Sequence, residues 1–165
     1  MIVVSDTSPI LNLARIGRLE LLPLLYREVA IPSAVYEELT ISKRDLPPAV
    51  NLASAPWLVV AAAQDQKRVR ELRKILDYGE AEAIVLATEL HAGLFLVDER
   101  RARQTAVSAG LRVTGLLGVV GHAKRAGLIE AAKPVLDELI HVARFWIGPA
   151  LYEAALAELG EATAR

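Results

Sequence analysis

The chain has 165 residues with 19 basic against 20 acidic side chains, and this size and balance predict one compact domain. A hydrophobic share of 53% is enough for a sizeable core and excludes intrinsic disorder. The absence of cysteine excludes disulfides, thiolate catalysis and cysteine-containing zinc sites. A net charge of −1 gives no global basic surface, so a nucleic-acid partner needs a local patch. The first residues do not resemble a secretion signal, and we expect a cytoplasmic protein without a membrane span.

Short apolar runs alternate with helical patterns along the sequence. Strands are predicted at 2–5, 29–31, 57–60 and 94–97. Helices are predicted at 9–14, 19–25, 32–39, 65–76, 80–90 and 100–109, with an exposed loop at 42–48, a break at Gly79 and a further helix after residues 112–114. This alternation predicts an α/β fold with a mainly parallel sheet and helices on both faces. We treat residues 1–165 as a single domain in which residues 130–165 form a C-terminal helical extension.

Two of the predicted strands end in an aspartate. Asp6 follows the strand at 2–5, and Asp98 follows the strand at 94–97. Ligands of an open parallel sheet bind outside the carboxyl ends of its strands, where both aspartates would lie. If the two strands are neighbours, their ends are about 5 Å apart, and carboxylates at that distance repel each other. The pair therefore predicts a site for a divalent cation.

Two helices carry carboxylates that can join this pair. Glu38 lies three residues after Val35 on the apolar face of its helix, whereas Glu37 is rotated about 100° toward solvent. Glu80 has apolar residues at i+3, i+4 and i+7, and Glu82 fits the same face almost as well. Periodicity alone therefore leaves Glu80 and Glu82 open.

A cluster of carboxylate oxygens without organised histidines is the ligand set of a hard cation such as Mg²⁺ or Mn²⁺. Such an ion prepares a water for attack on a phosphodiester and neutralises charge on the leaving oxygen. The pattern thus predicts a metal-dependent nuclease site. Each acid alone also has an ordinary explanation, as a helix cap for Asp6 and Asp98, a first-turn acid for Glu80, or half of a surface ion pair for Glu38.

The chain resembles the PIN-domain ribonucleases, and within them a VapC-like toxin subfamily. The resemblance extends to about residue 129 and is carried by VVSDTSPILNLARIG, IPSAVYEEL, GEAEAIVLA, LFLVDERRARQTA and GLRVTGLLGVVGHAKRAGLI, in this order. It implies a three-layer α/β/α sandwich that binds Mg²⁺ or Mn²⁺ and cleaves single-stranded RNA. It also implies the toxin of a type II toxin–antitoxin pair, a small antitoxin protein as partner, and a homodimer.

The resemblance assigns roles to individual residues. The catalytic, metal-binding acids of the family correspond to Asp6, Glu38, Glu80 and Asp98. The separation of Glu80 from Asp98 is similar to the family's usual gap and favours Glu80, with Glu82 and Glu99 as alternates. Ser8 matches a small polar residue that assists the placement of metal or water.

The expected RNA contacts are Arg100, Arg101 and Arg103, which follow Asp98 directly at the mouth of the predicted site. Arg103 has a second interpretation, in which it holds the acids in place by ion pairing. The charged helix at 65–76 provides either a basic face or an ordinary solvated surface. Residues 145–159 are apolar enough to pack on a second copy or to close their own domain. The alternative function is a catalytically inactive module that binds RNA or a protein.

Overall fold

The computed structural model describes residues 1–42, 52 and 55–162. Within these residues the strands are β1 (Val3–Ser5), β2 (Val29–Pro32), β3 (Leu58–Ala61), β4 (Leu94–Leu96) and β5 (Val113–Thr114). They form a five-stranded sheet in the order β3-β2-β1-β4-β5, and every pairing is parallel. The predicted parallel sheet is therefore confirmed, and β1 and β4 are neighbours in it.

Helices cover both faces of this sheet and complete a three-layer α/β/α sandwich. In chain order they are α1 (Thr7–Arg15), α2 (Leu21–Tyr26), α3 (Ser33–Ser42), α4 (Gln66–Leu72), α5 (Tyr78–Glu89), α6 (Arg100–Ser108), α7 (Leu116–Arg125), α8 (Ala132–His141) and α9 (Pro149–Glu158). Helix α5 packs on β1 and β2 and contacts α3, α4 and α6, whereas α7 contacts α2, α8 and β5. None of the helices in the described part of the chain is long and apolar enough to cross a membrane.

The central strands β1 and β2 are short and fully buried. All residues of β1 and β2 are buried, as expected for an apolar run inside a parallel sheet. At the edge of the sheet, by contrast, Val59 and Val60 of β3 are 37% and 45% exposed. Asp6 and Asp98 therefore follow strands that lie in the buried centre of the sheet.

Most predicted elements lie within one or two residues of the observed ones, and two predictions are wrong. Gly79 does not separate two helices, since it lies in the first turn of α5, which begins at Tyr78 after a cap at Asp77. The helix predicted at 65–76 ends at Leu72, where the chain turns so that Asp77 can start α5. The loop predicted at 42–48 lies, apart from Ser42, outside the described residues.

The C-terminal helices are attached to the sandwich through α7. Lys124 of α7 forms an ion pair of 2.6 Å with Glu161, whose carboxylate also accepts hydrogen bonds from the first amides of α8. In α9 only Leu156 is buried, and Leu151 is 56% exposed. The end of the chain thus closes over α7 and α8 while one side of α9 faces solvent.

Candidate active site

Asp6 and Asp98 lie at the same edge of the sheet. The register pairs Ser5 of β1 with Leu96 of β4, and the Asp6 amide donates to the Leu96 carbonyl at 2.9 Å. Asp6 is therefore level with Val97, and Asp98 follows one residue later. Two neighbouring parallel strands therefore end in aspartates at the same edge of the sheet, as the sequence predicted, and both aspartates line one cavity.

Glu38 reaches this edge from α3. It is half-buried, whereas its neighbour Glu37 is exposed, as the helical period predicted. The Thr7 hydroxyl donates to Glu38 Oε2 at 2.5 Å, and the Gly79 amide donates to the same carboxylate. A Cβ at Gly79 would lie 2.5 Å from Glu38 Oε1. Glycine at this position therefore lets the Glu38 carboxylate lie directly against the start of α5.

Glu80 enters the site as part of the cap of α5. The Asp77 side chain accepts from the Glu80 amide at 2.8 Å, and Glu80 Oε2 accepts from the Asp77 amide at 3.1 Å. This reciprocal capping box satisfies two amides that a helix start leaves unpaired. Glu82 is also buried, and one of its carboxylate oxygens has no hydrogen-bond partner, but it is not among the described residues around the acidic cavity.

Asp98 and Glu99 cap two different helices. Asp98 Oδ1 accepts from the Leu116 amide, the first residue of α7, at 2.9 Å. Glu99 Oε2 accepts from the Ala102 amide and caps α6. The second carboxylate oxygen of Asp98 is buried and has no hydrogen-bond partner. Buried polar atoms are rarely left unpaired, so this oxygen marks a place where a ligand can bind.

These side chains surround one cavity of about 490 Å³. Its described lining residues include six acids, namely Asp6, Glu38, Asp77, Glu80, Asp98 and Glu99. Arg15 is the one basic side chain in that lining. It follows Ser8 and Asn12 along one face of α1, where Asn12 donates to Ser8 Oγ at 3.1 Å and Arg15 donates to Asn12 at 3.3 Å. The cavity is therefore strongly anionic, with a polar row of side chains on one wall.

Four carboxyl groups of the cavity, those of Asp6, Glu38, Glu80 and Asp98, are costly to ionise. The pKa of Asp6 is raised from its usual 3.8 to about 8, mainly by burial and also by the negative charges of Glu80, Asp77 and Glu38, against the lowering effect of a hydrogen bond from the Thr7 amide. Burial is also the main cause that raises the pKa of Glu38, Glu80 and Asp98. A bound cation would reverse this penalty because it favours the charged form of each group.

The donor set suits a hard divalent cation, since it consists of carboxylate oxygens with one buried oxygen unpaired. As the side chains stand, however, no group of three or more acids or histidines among the described residues is arranged to hold a metal ion. Glu38 and Glu80 are engaged with Thr7 and with the Asp77 amide instead. Metal binding at this cavity would therefore require these carboxylates to move closer together, and each glutamate could keep one oxygen on its present partner.

The three predicted RNA-contacting arginines lie beside the cavity and not in its described lining. Arg100 and Arg101 are exposed, and Arg101 donates to the Ile75 carbonyl at 3.4 Å. Arg103 donates to the Val97 carbonyl at 3.1 Å, and its positive charge lowers the pKa of Asp98 against the effect of burial. No ion pair joins Arg103 to an acid among the residues the structure describes.

Sequence reasoning missed several residues of the cavity. Asp77 had a usable signal, because an acid three residues before Glu80 is a capping-box pattern. Arg15 had one too, since Ser8, Asn12 and Arg15 are spaced for one face of a helix. Two further lining residues, Phe145 and Trp146, had no local signal, because only the tertiary fold brings them here.

Comparison with known proteins agrees with this geometry. The family model DUF3368, described as a PIN domain, matches residues 2–161 of the chain. The chain has no significant match among curated proteins or among solved structures. The match spans the sheet, both aspartates and both helices that carry the glutamates.

Proposed function

Because the chain belongs to the PIN-domain family, whose members are generally nucleases, we propose that it is a Mg²⁺- or Mn²⁺-dependent endoribonuclease that cleaves single-stranded RNA. The observation that carries the proposal is the convergence of Asp6, Glu38, Glu80 and Asp98 on one cavity. These residues come from four separate stretches of sequence. Keeping carboxylates at these buried or half-buried positions destabilises the fold unless the cavity has a use for their charge.

The side chains around the cavity can take different roles in binding the metal ion, the water and the RNA. Asp6 and Asp98 would hold the ion from the rigid sheet, and Glu38 and Glu80 would complete the ligand set. Mg²⁺ or Mn²⁺, when bound, supplies an activated water and charge neutralisation at the phosphodiester. Ser8 accepts from Asn12 and keeps its own hydroxyl hydrogen to orient a water. Arg15 carries a planar guanidinium suited to a phosphate oxygen of the bound strand.

The test of this function is metal-dependent cleavage of a labelled single-stranded RNA. Wild type should cleave with Mg²⁺ or Mn²⁺ and stop when EDTA is added. Glu38→Gln should lose about 100-fold or more in rate, as expected when a charge-stabilising group is removed from an active site. The matched control is Glu37→Gln, which changes the adjacent but exposed carboxylate and should retain full activity. Equal rates for the two variants would contradict the assigned site, and the corresponding DNA strand tests the choice of RNA.

We further propose that the chain is the toxin of a type II toxin–antitoxin pair acting in the cytoplasm. The resemblance to VapC-like toxins and the anionic cavity support this, since a small antitoxin can silence such a site by covering it. A homodimer belongs to the same proposal, supported by the exposed side of α9 with Leu151. Expression of the protein in bacteria should arrest their growth. Co-expression of a small protein from the neighbouring reading frame should relieve the arrest. Growth unaffected by an active nuclease would contradict the toxin role.

One observation favours the alternative of an inactive binding module, namely the lack of a preformed metal-ligand group among the described residues. In that case the wild type would bind single-stranded RNA or a protein and cleave nothing with either metal. The cleavage assay above separates the two functions directly.

A further inference from the structure

Trp146 is the largest apolar side chain of the chain's C-terminal segment and is 82% exposed. Its neighbours on both sides are anchored. Ala143 and Ile147 are buried, and the Phe145 amide donates to the Leu139 carbonyl at 2.8 Å. The outward position of Trp146 is thus fixed by the segment around it and is not that of a loose chain end.

The turn that precedes it is also specific. Helix α8 is followed by Arg144 at φ +61°, a left-handed conformation that is uncommon for a residue with a side chain. This turn redirects the chain so that Phe145 and Trp146 reach the acidic cavity and form part of its wall. A strained backbone at this point indicates that the surrounding structure holds the two aromatic rings in place.

The indole ring rests against a glycine. A Cβ at Gly148 would lie 3.3 Å from Trp146 Cη2 and 3.8 Å from two further ring atoms. Gly148 has φ −61°, a value open to any residue, so its backbone does not require glycine. The missing side chain instead lets the ring lie close to the start of α9.

We propose that Trp146, with Phe145 beside it, is a stacking platform for a base of the RNA strand that is cleaved at the acidic cavity. This inference rests on the proposed nuclease function and assigns how its substrate is held. Asp6, Asp98 and Trp146 line one cavity, so a strand with a phosphate held at the aspartates would have an adjoining base beside this aromatic wall. An aromatic face can stack on any base and needs no hydrogen-bond code.

Several features favour a base over a protein side chain as the occupant. The cavity has a volume of about 490 Å³. This is the size of a pocket for a small molecule, whereas protein partners usually bind flatter surfaces. Its walls combine an aromatic pair, carboxylates suited to a cation and a single arginine, Arg15. The aromatic pair complements a base, and the carboxylates complement a phosphate that carries a metal ion. Arg15 complements the oxygen of a neighbouring phosphate.

The platform can be tested separately from cleavage. The chain has two tryptophans, so Trp57→Phe leaves Trp146 as the fluorescent reporter. Adding Glu38→Gln to this background should keep a short single-stranded RNA intact in the presence of Mg²⁺. We expect the RNA to quench the fluorescence of Trp146. A series of oligonucleotides, each lacking the base at one position, should then be compared. The oligonucleotide without the stacked base should fail to quench Trp146, and the others should still quench it.

Substitution gives a second readout. Trp146→Ala should weaken RNA binding about 10-fold, within the range for loss of one stacked base, whereas Trp146→Phe should restore most of it. In the cleavage assay Trp146→Ala should raise KM and leave kcat nearly unchanged. The matched control is Val142→Ala, which removes another solvent-facing apolar side chain, 59% exposed, at the end of the preceding helix.

Three results would overturn the platform. If RNA binds and is cleaved but Trp146→Ala changes neither Kd nor KM, Trp146 has no part in the site and the nuclease function still stands. If Trp146→Ala alters the oligomeric state and leaves RNA affinity unchanged, its occupant is a protein. If wild type neither binds nor cleaves RNA, the platform and the proposed function fail together.

Discussion

Replacing Asp6 by asparagine should stabilise the metal-free protein at neutral pH. Burial raises the pKa of the Asp6 carboxyl from 3.8 to about 8, so the folded state keeps a proton that the unfolded chain releases. Below both values the two states are equally protonated. Between the two pKa values the unfolded chain releases the proton and the folded protein keeps it. The free energy of unfolding therefore falls as the pH rises through this range.

The size of the effect follows from the same shift. One carboxyl contributes about 1.4 kcal/mol per pH unit inside its window. Between about pH 5 and about pH 7 the wild type should therefore lose about 3 kcal/mol of unfolding free energy relative to Asp6→Asn. Asparagine has nearly the shape of the aspartic acid side chain and does not titrate, so packing is preserved.

Urea unfolding followed by circular dichroism at several pH values, in EDTA, measures this difference. Wild type and Asp6→Asn should diverge steadily as the pH rises. Glu130→Gln, which changes an exposed carboxylate far from the cavity in sequence, should run parallel to wild type. Parallel curves for wild type and Asp6→Asn would refute the reasoning, and a large loss of stability in Asp6→Asn would identify Asp6 as a structural cap.

Three other substitutions probe the supports of the acids. Gly79→Ala places a Cβ 2.5 Å from Glu38 Oε1, so the rate of cleavage should fall about 10-fold or more. Thermal stability should stay level because alanine has a higher helix propensity than glycine. Full cleavage activity would contradict this. Thr7→Val removes the hydrogen bond that lowers the pKa of Glu38, so the acid limb of the cleavage profile should move to higher pH, and an unmoved limb would count against it. Asp77→Ala removes the cap of α5 and should cost about 1 kcal/mol in urea unfolding, whereas no loss would contradict the capping role.

The strand-end aspartates were the most predictable part of the site. Asp6 and Asp98 each end a short apolar run, and a parallel sheet brings the ends of neighbouring strands together whatever the details of packing. Glu38 was predictable for a related reason, because α3 has a clear exposed side on which Glu37 lies.

Helix α5 shows where sequence reasoning fails. It is buried on nearly all sides, with Glu80 and Glu82 both buried. An amphipathic period therefore could not say which glutamate faces the cavity. Gly79 was read as a break because glycine is a poor helix former, yet its value here comes from the close approach of Glu38, a contact across 41 residues of sequence that no local pattern reveals.

The aromatic wall of the cavity was hidden for the same reason. Phe145 and Trp146 are adjacent apolar residues in a segment that fits either a domain closure or an interface. Only the turn at Arg144, after α8, directs them to the acids. Local patterns thus located the edge of the sheet that carries the acids, while the walls around it depended on tertiary structure.

Calorimetric titration of Mn²⁺ into the purified protein tests the central claim most directly, since it asks whether the converging carboxylates bind a cation at all. Wild type should take up one or two ions with saturable heat, Asp98→Asn should lose that binding, and Glu37→Gln should retain it. Identical isotherms for wild type and Asp98→Asn, or no saturable binding in the wild type, would contradict a cation site at this cavity.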